Sequence, residues 1–203
     1  VRRVDAPPAP PEPPAPGNPS SGCPGGPSLL ARPASAVDVT GATLGWRVRE
    51  SFIRYINSGQ GTAASGGATA AAPVVIAPAT TPLVYDFSFP LRSGWTDPAT
   101  GQSRLLFSGA VTFRWTAHAI DLLVSDPEVE VGTGGARAVF CIVNRANPGE
   151  TARRTVLVTL NASGGIAAMP ATVPAGAAED TFAGYYFPGD PFGSLGVTGL
   201  VTG

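Results

Sequence analysis

The spacing of apolar residues in the first part of the chain predicts one main helix, over residues 43–58. Its apolar positions recur every four residues, as on one face of an α-helix: Leu44, Val48, Phe52 and Ile56. At about 100° per residue, Tyr55 points within about 20° of Leu44, so we expect its side chain to face inward. Trp46 and Ile53 fall on the opposite side, which predicts a helix covered on two faces.

After this helix the apolar period changes to two, which is typical of β-strands. Residues 59–79, rich in Gly, Ala, Ser, Thr and Pro, predict a loop. The inward positions of the first two strands then alternate along the chain: Tyr85, Phe87, Phe89, and next Phe107, Val111, Phe113 and Trp115. Further strands are predicted at 120–124, 128–131, 136–143 and 155–160, and His118 lies in a strand-like stretch.

These elements predict a mainly β fold: a single antiparallel β-sandwich-like domain over residues 23–203. It carries the main helix at 43–58 and a shorter second helix near 177–187. Residues 1–22 are proline-rich and predict an extended tail. Ordering a backbone costs about 1–2 kcal/mol per residue, and this tail has little apolar surface of its own to bury. An ordered tail would therefore need a surface to hold it, which we expect to be its own domain or a neighbour in a homo-oligomer.

Charge and hydropathy argue against two classes of partner. The 13 basic residues, all arginine, are balanced by 14 acidic residues, so no field attracts nucleic acid or an anionic membrane surface. No apolar run reaches the roughly 18 residues of a transmembrane helix. The chain begins at Val1 and not at methionine, and we therefore expect a processed, soluble product.

The two cysteines, Cys23 and Cys141, lack the spacing of a metal site or of a covalent haem attachment site. A disulfide between them is the favoured interpretation, and two unpaired buried thiols are the alternative. A disulfide would indicate an oxidising compartment, in keeping with a secreted or cell-surface protein.

The sequence gives little support to catalysis. It contains no nucleophile elbow, no zinc-protease motif and no phosphate-binding loop, and it has a single histidine. Glu128 and Glu130 share a strand face, which we interpret as a solvated surface and not as an acid/base pair. We therefore expect that the protein is not an enzyme.

On pattern alone, Tyr55 is a tyrosine at the edge of the core and His118 a structural imidazole. Four motifs change this interpretation, and they occur in order along the chain: Trp46, Val48, Ser51, Phe52, Tyr55 and Ile56; FSFPLRSGWTDPATGQ; SGAVTF, with His118 and IDLLVSDPEVEV after it; and Phe182, Tyr185, Tyr186 and Gly189. Together they resemble the HtaA-type haem-binding domain of actinobacterial cell-surface haem-uptake proteins. The resemblance covers most of residues 41–195.

The resemblance implies a haem-binding function for the sequence. Tyr55 would be the axial ligand of ferric haem, His118 would hydrogen-bond its phenolic oxygen, and Tyr186 with Tyr185 would pack on the porphyrin. The expected role is capture and relay of haem at the cell surface, with other haem-uptake surface proteins as partners. The alternative is a structural or adhesive surface protein that uses the same β domain without haem.

Overall fold

The computed structural model describes residues 23–27 and 29–203, so the prediction for the tail at 1–22 lies outside the described residues. The strands in this part of the chain are β1 Val37–Val48, β2 Gly61–Ser65, β3 Thr69–Ala70, β4 Asp86–Thr96, β5 Ser103–Phe107, β6 Ala110–Trp115, β7 Ile120–Gly132, β8 Gly135–Asn144, β9 Arg153–Leu160, β10 Met169–Thr172 and β11 Pro191–Thr202. The helices are α1 Glu50–Ile56 and α2 Ala175–Asp180, with a 3₁₀ turn at Thr116–His118. The predicted mainly β fold is confirmed.

The strands form one antiparallel sheet that closes on itself through β7. Neighbouring strands follow the order β2, β6, β7, β5, β4, β1, β11, β10, β9 and β8, and β8 pairs again with β7. Strand β7 changes partner along its length, because 120–125 pair with β6 and 128–131 pair with β5. Asp126, with a φ of 46°, marks the change. The two strands predicted at 120–124 and 128–131 are therefore one strand.

Aromatic side chains fill the space that the sheet encloses. Trp46 lies near its centre, with ring centroids 5.2 Å from Phe140 and 5.9 Å from Phe113. The alternating strand residues Phe87 and Phe89 are also fully buried, as their period-two pattern predicted. These side chains, from β1, β4, β6 and β8, belong to a single hydrophobic core.

The predicted start of the main helix is wrong. Residues 43–48 belong to β1, and Leu44, Trp46 and Val48 are all buried on its inner face. A spacing of four residues fits a strand of period two as well as a helical turn, so Leu44 and Val48 could not distinguish the two. The helix begins at Glu50, and Trp46 is therefore not on a second helical face.

Three other local predictions also need correction. The second helix is shorter than the predicted 177–187 and ends at Asp180, because Ala183 and Gly184 adopt positive φ angles of 48° and 77°. The predicted loop at 59–79 contains β2 and β3. His118 lies in a 3₁₀ turn between two strands and not within a strand.

Glu128 and Glu130 are buried and ion-paired, so their interpretation as a solvated surface is wrong. They are 5% and 3% exposed. Glu128 accepts hydrogen bonds from Arg104 at 2.5 Å and from Arg154 at 2.6 Å, and Glu130 pairs with Arg137. The arginines come from β5, β8 and β9, so only the register of the sheet brings them to the glutamates.

Residues 23–27 and 29–30 lie against this charged cluster and strand β8. Cys23 and Cys141 form the predicted disulfide, with their Cα atoms 5.9 Å apart. The backbone N–H of Arg154 donates to the carbonyl of Pro24, and that of Leu30 donates to Glu130 at 2.7 Å. These contacts thus help to exclude water from the buried carboxylates.

Neither α-helix in the described part of the chain is long and apolar enough to cross a membrane.

We predict that Glu128→Gln lowers the free energy of unfolding by about 3–5 kcal/mol, because it removes the buried counter-charge of Arg154 and leaves Arg104 with the more distant Glu130, at 3.9 Å. Urea denaturation measures the change. Asp38→Asn is the matched control, since the Arg32–Asp38 pair has side chains 44% and 68% exposed and should cost less than about 1 kcal/mol. Equal losses in the two variants would contradict the prediction.

The disulfide yields a second prediction. Replacing Cys23 and Cys141 together by serine opens a loop with a sequence separation of 118. The variant should lose roughly 4 kcal/mol of unfolding free energy, because its unfolded chain gains conformational freedom. Denaturant titration measures this loss. Alkylation of the denatured, unreduced wild type should label no thiol, and two labelled thiols would refute the pairing.

Candidate functional site

Tyr55 lies in the last turn of α1, at the edge of the core. Phe52, Ile53 and Ile56 hold the helix in place as fully buried residues, whereas Tyr55 is half-buried and packs against the core. Its expected alignment with Leu44 rested on a continuous helix and is therefore wrong. The hydroxyl of Tyr55 is directed to the 3₁₀ turn, where it meets His118.

The 3₁₀ turn that carries His118 is fixed from two sides. Gln60 accepts a hydrogen bond from the Thr116 N–H and donates one to the Thr116 hydroxyl, both at 3.0 Å. The Asn144 side chain donates to the carbonyl of Ala119 at 2.9 Å. Ala119 ends the turn with a φ of 54°. An exposed histidine is thus held by a turn whose backbone is well anchored.

Tyr55 and His118, 63 residues apart in sequence, meet in the structure. The Tyr55 hydroxyl and His118 Nδ1 are 2.8 Å apart, the distance of a well-formed hydrogen bond. Trp115 contacts both rings, with centroids 3.8 Å from His118 in a stacked arrangement and 4.6 Å from Tyr55. The phenol, the imidazole and the indole therefore form one aromatic cluster.

This cluster borders a cavity of about 460 Å³. The cavity is lined by α1, the 3₁₀ turn, the start of β7, the end of β8 and the loop after α2. Its apolar surface includes Phe52, Ile120 and Leu122, and its polar groups include Asn147 and Thr181. The Thr181 hydroxyl is buried and has no hydrogen-bond partner within the described residues. The lining suits a largely apolar ligand with few polar atoms.

The loop after α2 contributes the aromatic residues of the predicted Phe-x-x-Tyr-Tyr motif. Phe182 is buried and lies 6.1 Å from Phe52 between ring centroids, and Tyr186 packs 5.1 Å from Phe182. Tyr185 is 77% exposed at the rim of the cavity. All four residues predicted for the site, Tyr55, His118, Tyr185 and Tyr186, line this one cavity.

Tyr186 is a neutral phenol at neutral pH. Burial raises its pKa above the usual value, although Arg49 and the Ser51 hydroxyl favour the phenolate. The guanidinium of Arg49 lies 4.9 Å from the centroid of the Tyr186 ring. Arg49 thus brings a positive charge close to the cavity while Tyr186 keeps its proton.

The sequence does not predict a role in the site for Trp115, Arg49 or Asn144. The alternating pattern predicts Trp115 only as an inward residue of a strand. Its position three residues before His118, across a tight turn, is the sequence feature that indicates their contact. Asn144 comes to the turn through the pairing of β7 with β8, and no local pattern reports that contact.

The described residues contain no group of three or more His, Cys, Asp or Glu side chains that could hold a metal ion. Tyr55 and His118 instead offer one oxygen and one nitrogen donor, already hydrogen-bonded to each other. Such a pair can supply a single oxygen ligand to a metal whose other ligands come from elsewhere. A prosthetic group that brings its own equatorial donors meets this condition.

Three solved structures from Corynebacterium glutamicum have the same fold as this chain. The C-terminal domain of HtaA is 20% identical, with 79% of this chain and 96% of that chain covered and a TM-score of 0.59. The N-terminal domain of HtaA is 19% identical, with 78% and 96% covered and a TM-score of 0.59. The heme binding protein HtaB is 15% identical, with 83% and 98% covered and a TM-score of 0.58.

A comparison with curated proteins gives no match. The family model described as Htaa matches residues 41–198, which include α1, the 3₁₀ turn and the aromatic loop around the cavity. Since this match spans most of the chain, the chain belongs to the HtaA family.

Proposed function

We propose that this domain binds ferric haem, with the phenolate of Tyr55 as the axial ligand of the iron. The observation that carries the proposal is the 2.8 Å hydrogen bond between Tyr55 and His118 at the border of an apolar cavity. Membership of the HtaA family and the structural likeness to HtaB, a heme binding protein, support the same conclusion.

The residues around the cavity fit this group. A porphyrin supplies four nitrogen donors in its own plane, so the protein need provide only an axial ligand and an apolar surface. Tyr55 offers a hard, anionic oxygen once deprotonated, which favours Fe(III). Phe52, Leu122 and Tyr186 offer apolar and aromatic surface. The cavity of about 460 Å³ also lies within the range usual for cofactor sites.

His118 adjusts the strength of the proposed ligand. When Tyr55 is a phenolate, the proton on His118 Nδ1 is donated to the oxygen, which lowers the electron density available to a metal. The pair can therefore hold a ligand firmly and still give it up, as a carrier requires.

Tyr186 and Tyr185 would pack on the porphyrin, one from within the cavity and one from its rim. The neutral phenol of Tyr186 is suited to an apolar ring face, since it carries no charge to desolvate. Arg49, close to Tyr186, can offset the negative charge of a propionate at the cavity mouth.

The proposed role is capture and relay of haem by a secreted or cell-surface protein that takes part in iron acquisition, without catalytic turnover. The disulfide between Cys23 and Cys141 supports an oxidising compartment. Other haem-uptake proteins of the cell surface would be the partners that deliver or accept haem. A wild type that rejects haemin would favour the structural or adhesive alternative.

Tyr55→Phe should reduce haemin affinity more than about 100-fold, because removing an iron ligand should cost more than removing its hydrogen-bond partner. It should also abolish the tyrosinate charge-transfer absorption, which spectroscopic titration with haemin measures. Tyr85→Phe is the matched control, since it removes a buried hydroxyl that has no partner in the described structure and does not line the cavity. Unchanged binding by Tyr55→Phe would refute the ligand assignment.

His118→Ala should weaken haemin binding about 10–100-fold while the tyrosinate absorption persists at a shifted wavelength, because the phenolate loses its hydrogen-bond donor and keeps its oxygen. The same titration, with the dissociation rate measured by transfer to excess apomyoglobin, tests this. Complete loss of the tyrosinate bands would mean that Tyr55 cannot coordinate iron without His118, which would contradict the proposal that His118 only adjusts the ligand.

A further inference from the structure

Trp115 forms a platform under the Tyr55–His118 pair. Its indole lies 3.8 Å from the His118 ring between centroids, with only 25° between the two planes. It also meets the Tyr55 ring at 4.6 Å and 53°. Trp115 does not line the cavity, whereas Tyr55 and His118 both do. It can therefore influence a ligand only through these two side chains.

The His118 imidazole needs such a platform because its residue is exposed. The 3₁₀ turn fixes the backbone, but the imidazole of an exposed histidine is free to rotate about two side-chain torsions. A single hydrogen bond to Tyr55 restricts only one end of the ring. The stacked indole restricts the plane of the ring, and together with the hydrogen bond to Tyr55 this keeps Nδ1 directed at the phenolic oxygen.

The platform is itself held firmly in place. Trp115 pairs with Ile120 at the end of β6, and Gln60 fixes the adjacent Thr116 from the other side. Gly59, just after α1, packs so closely against the indole that a β-carbon at this position would overlap the Trp115 side chain. The chain that leaves α1 therefore locks the indole against both members of the pair.

We infer that Trp115 is a positioning residue, which fixes the plane of the His118 imidazole and so maintains the hydrogen bond to Tyr55 that selects one tautomer. Its effect on haem rests on the proposed function, but its effect on the imidazole does not. A phenylalanine at position 115 keeps an aromatic face for stacking, whereas a leucine removes it. These two substitutions both leave an apolar side chain at the end of β6, but they should differ in their effect on the His118 imidazole.

The chain has one histidine, so the ring nitrogens of His118 can be observed in the ligand-free protein by ¹⁵N NMR without ambiguity. The wild type should show a single tautomer with Nδ1 in a hydrogen bond. Trp115→Leu should show averaged tautomers, as in a free imidazole, and Trp115→Phe should retain the wild-type pattern. Gly59→Ala, which displaces the indole without removing it, should resemble Trp115→Leu.

Haemin titration of the same variants gives the second measurement. Trp115→Leu should lose about tenfold in affinity and shift the tyrosinate absorption toward that of His118→Ala, with Trp115→Phe close to wild type. An unchanged imidazole pattern in Trp115→Leu, with its unfolding midpoint preserved, would overturn the positioning role. If the imidazole pattern changes as expected and the wild type binds no haemin, the positioning role stands and the proposed function fails.

Discussion

The sharing of β7 between two parts of the sheet is the constraint on which the domain depends. Its first half pairs with β6 and its second half with β5, while β8 runs beside both. The first half directly follows the 3₁₀ turn and carries the cavity residues Ile120 and Leu122. The second half carries Glu128 and Glu130 into their cluster of arginines. One strand thus links the candidate site to the main polar contacts of the fold.

The alternation of apolar residues was sufficient to predict β4 and β6 to β9, because a sheet with one buried face imposes a period of two, but it predicted no strand for β10 or β11. It failed for residues 43–48, where Leu44 and Val48 satisfy both periods and only Trp46 between them marks a strand. It failed also for Glu128, whose burial depends on Arg104 and Arg154. Those partners come from other strands, and no pattern local to the glutamate reports them.

The site residues were predicted through the family resemblance and not through periodicity. Tyr55 and His118 are brought together by the pairing of β6 with its neighbours, which a one-dimensional pattern does not specify. Trp115 was assigned correctly to an apolar strand position, but its contact with His118 depends on the tight turn that follows. Side chains that act through other side chains are the hardest to identify from sequence.

The cavity is assembled from separate stretches of the chain, near residues 52–55, 118–122, 144–147 and 181–186, that meet only in the folded domain. A ligand that needs all of them binds the native state alone, and it adds about 2.7 kcal/mol of stability at about 100 times its Kd. The disulfide and the buried ion pairs lie outside this cavity and hold the sheet without such help. The ligand-free domain can therefore remain folded, and binding of a ligand need not be coupled to folding of the sheet.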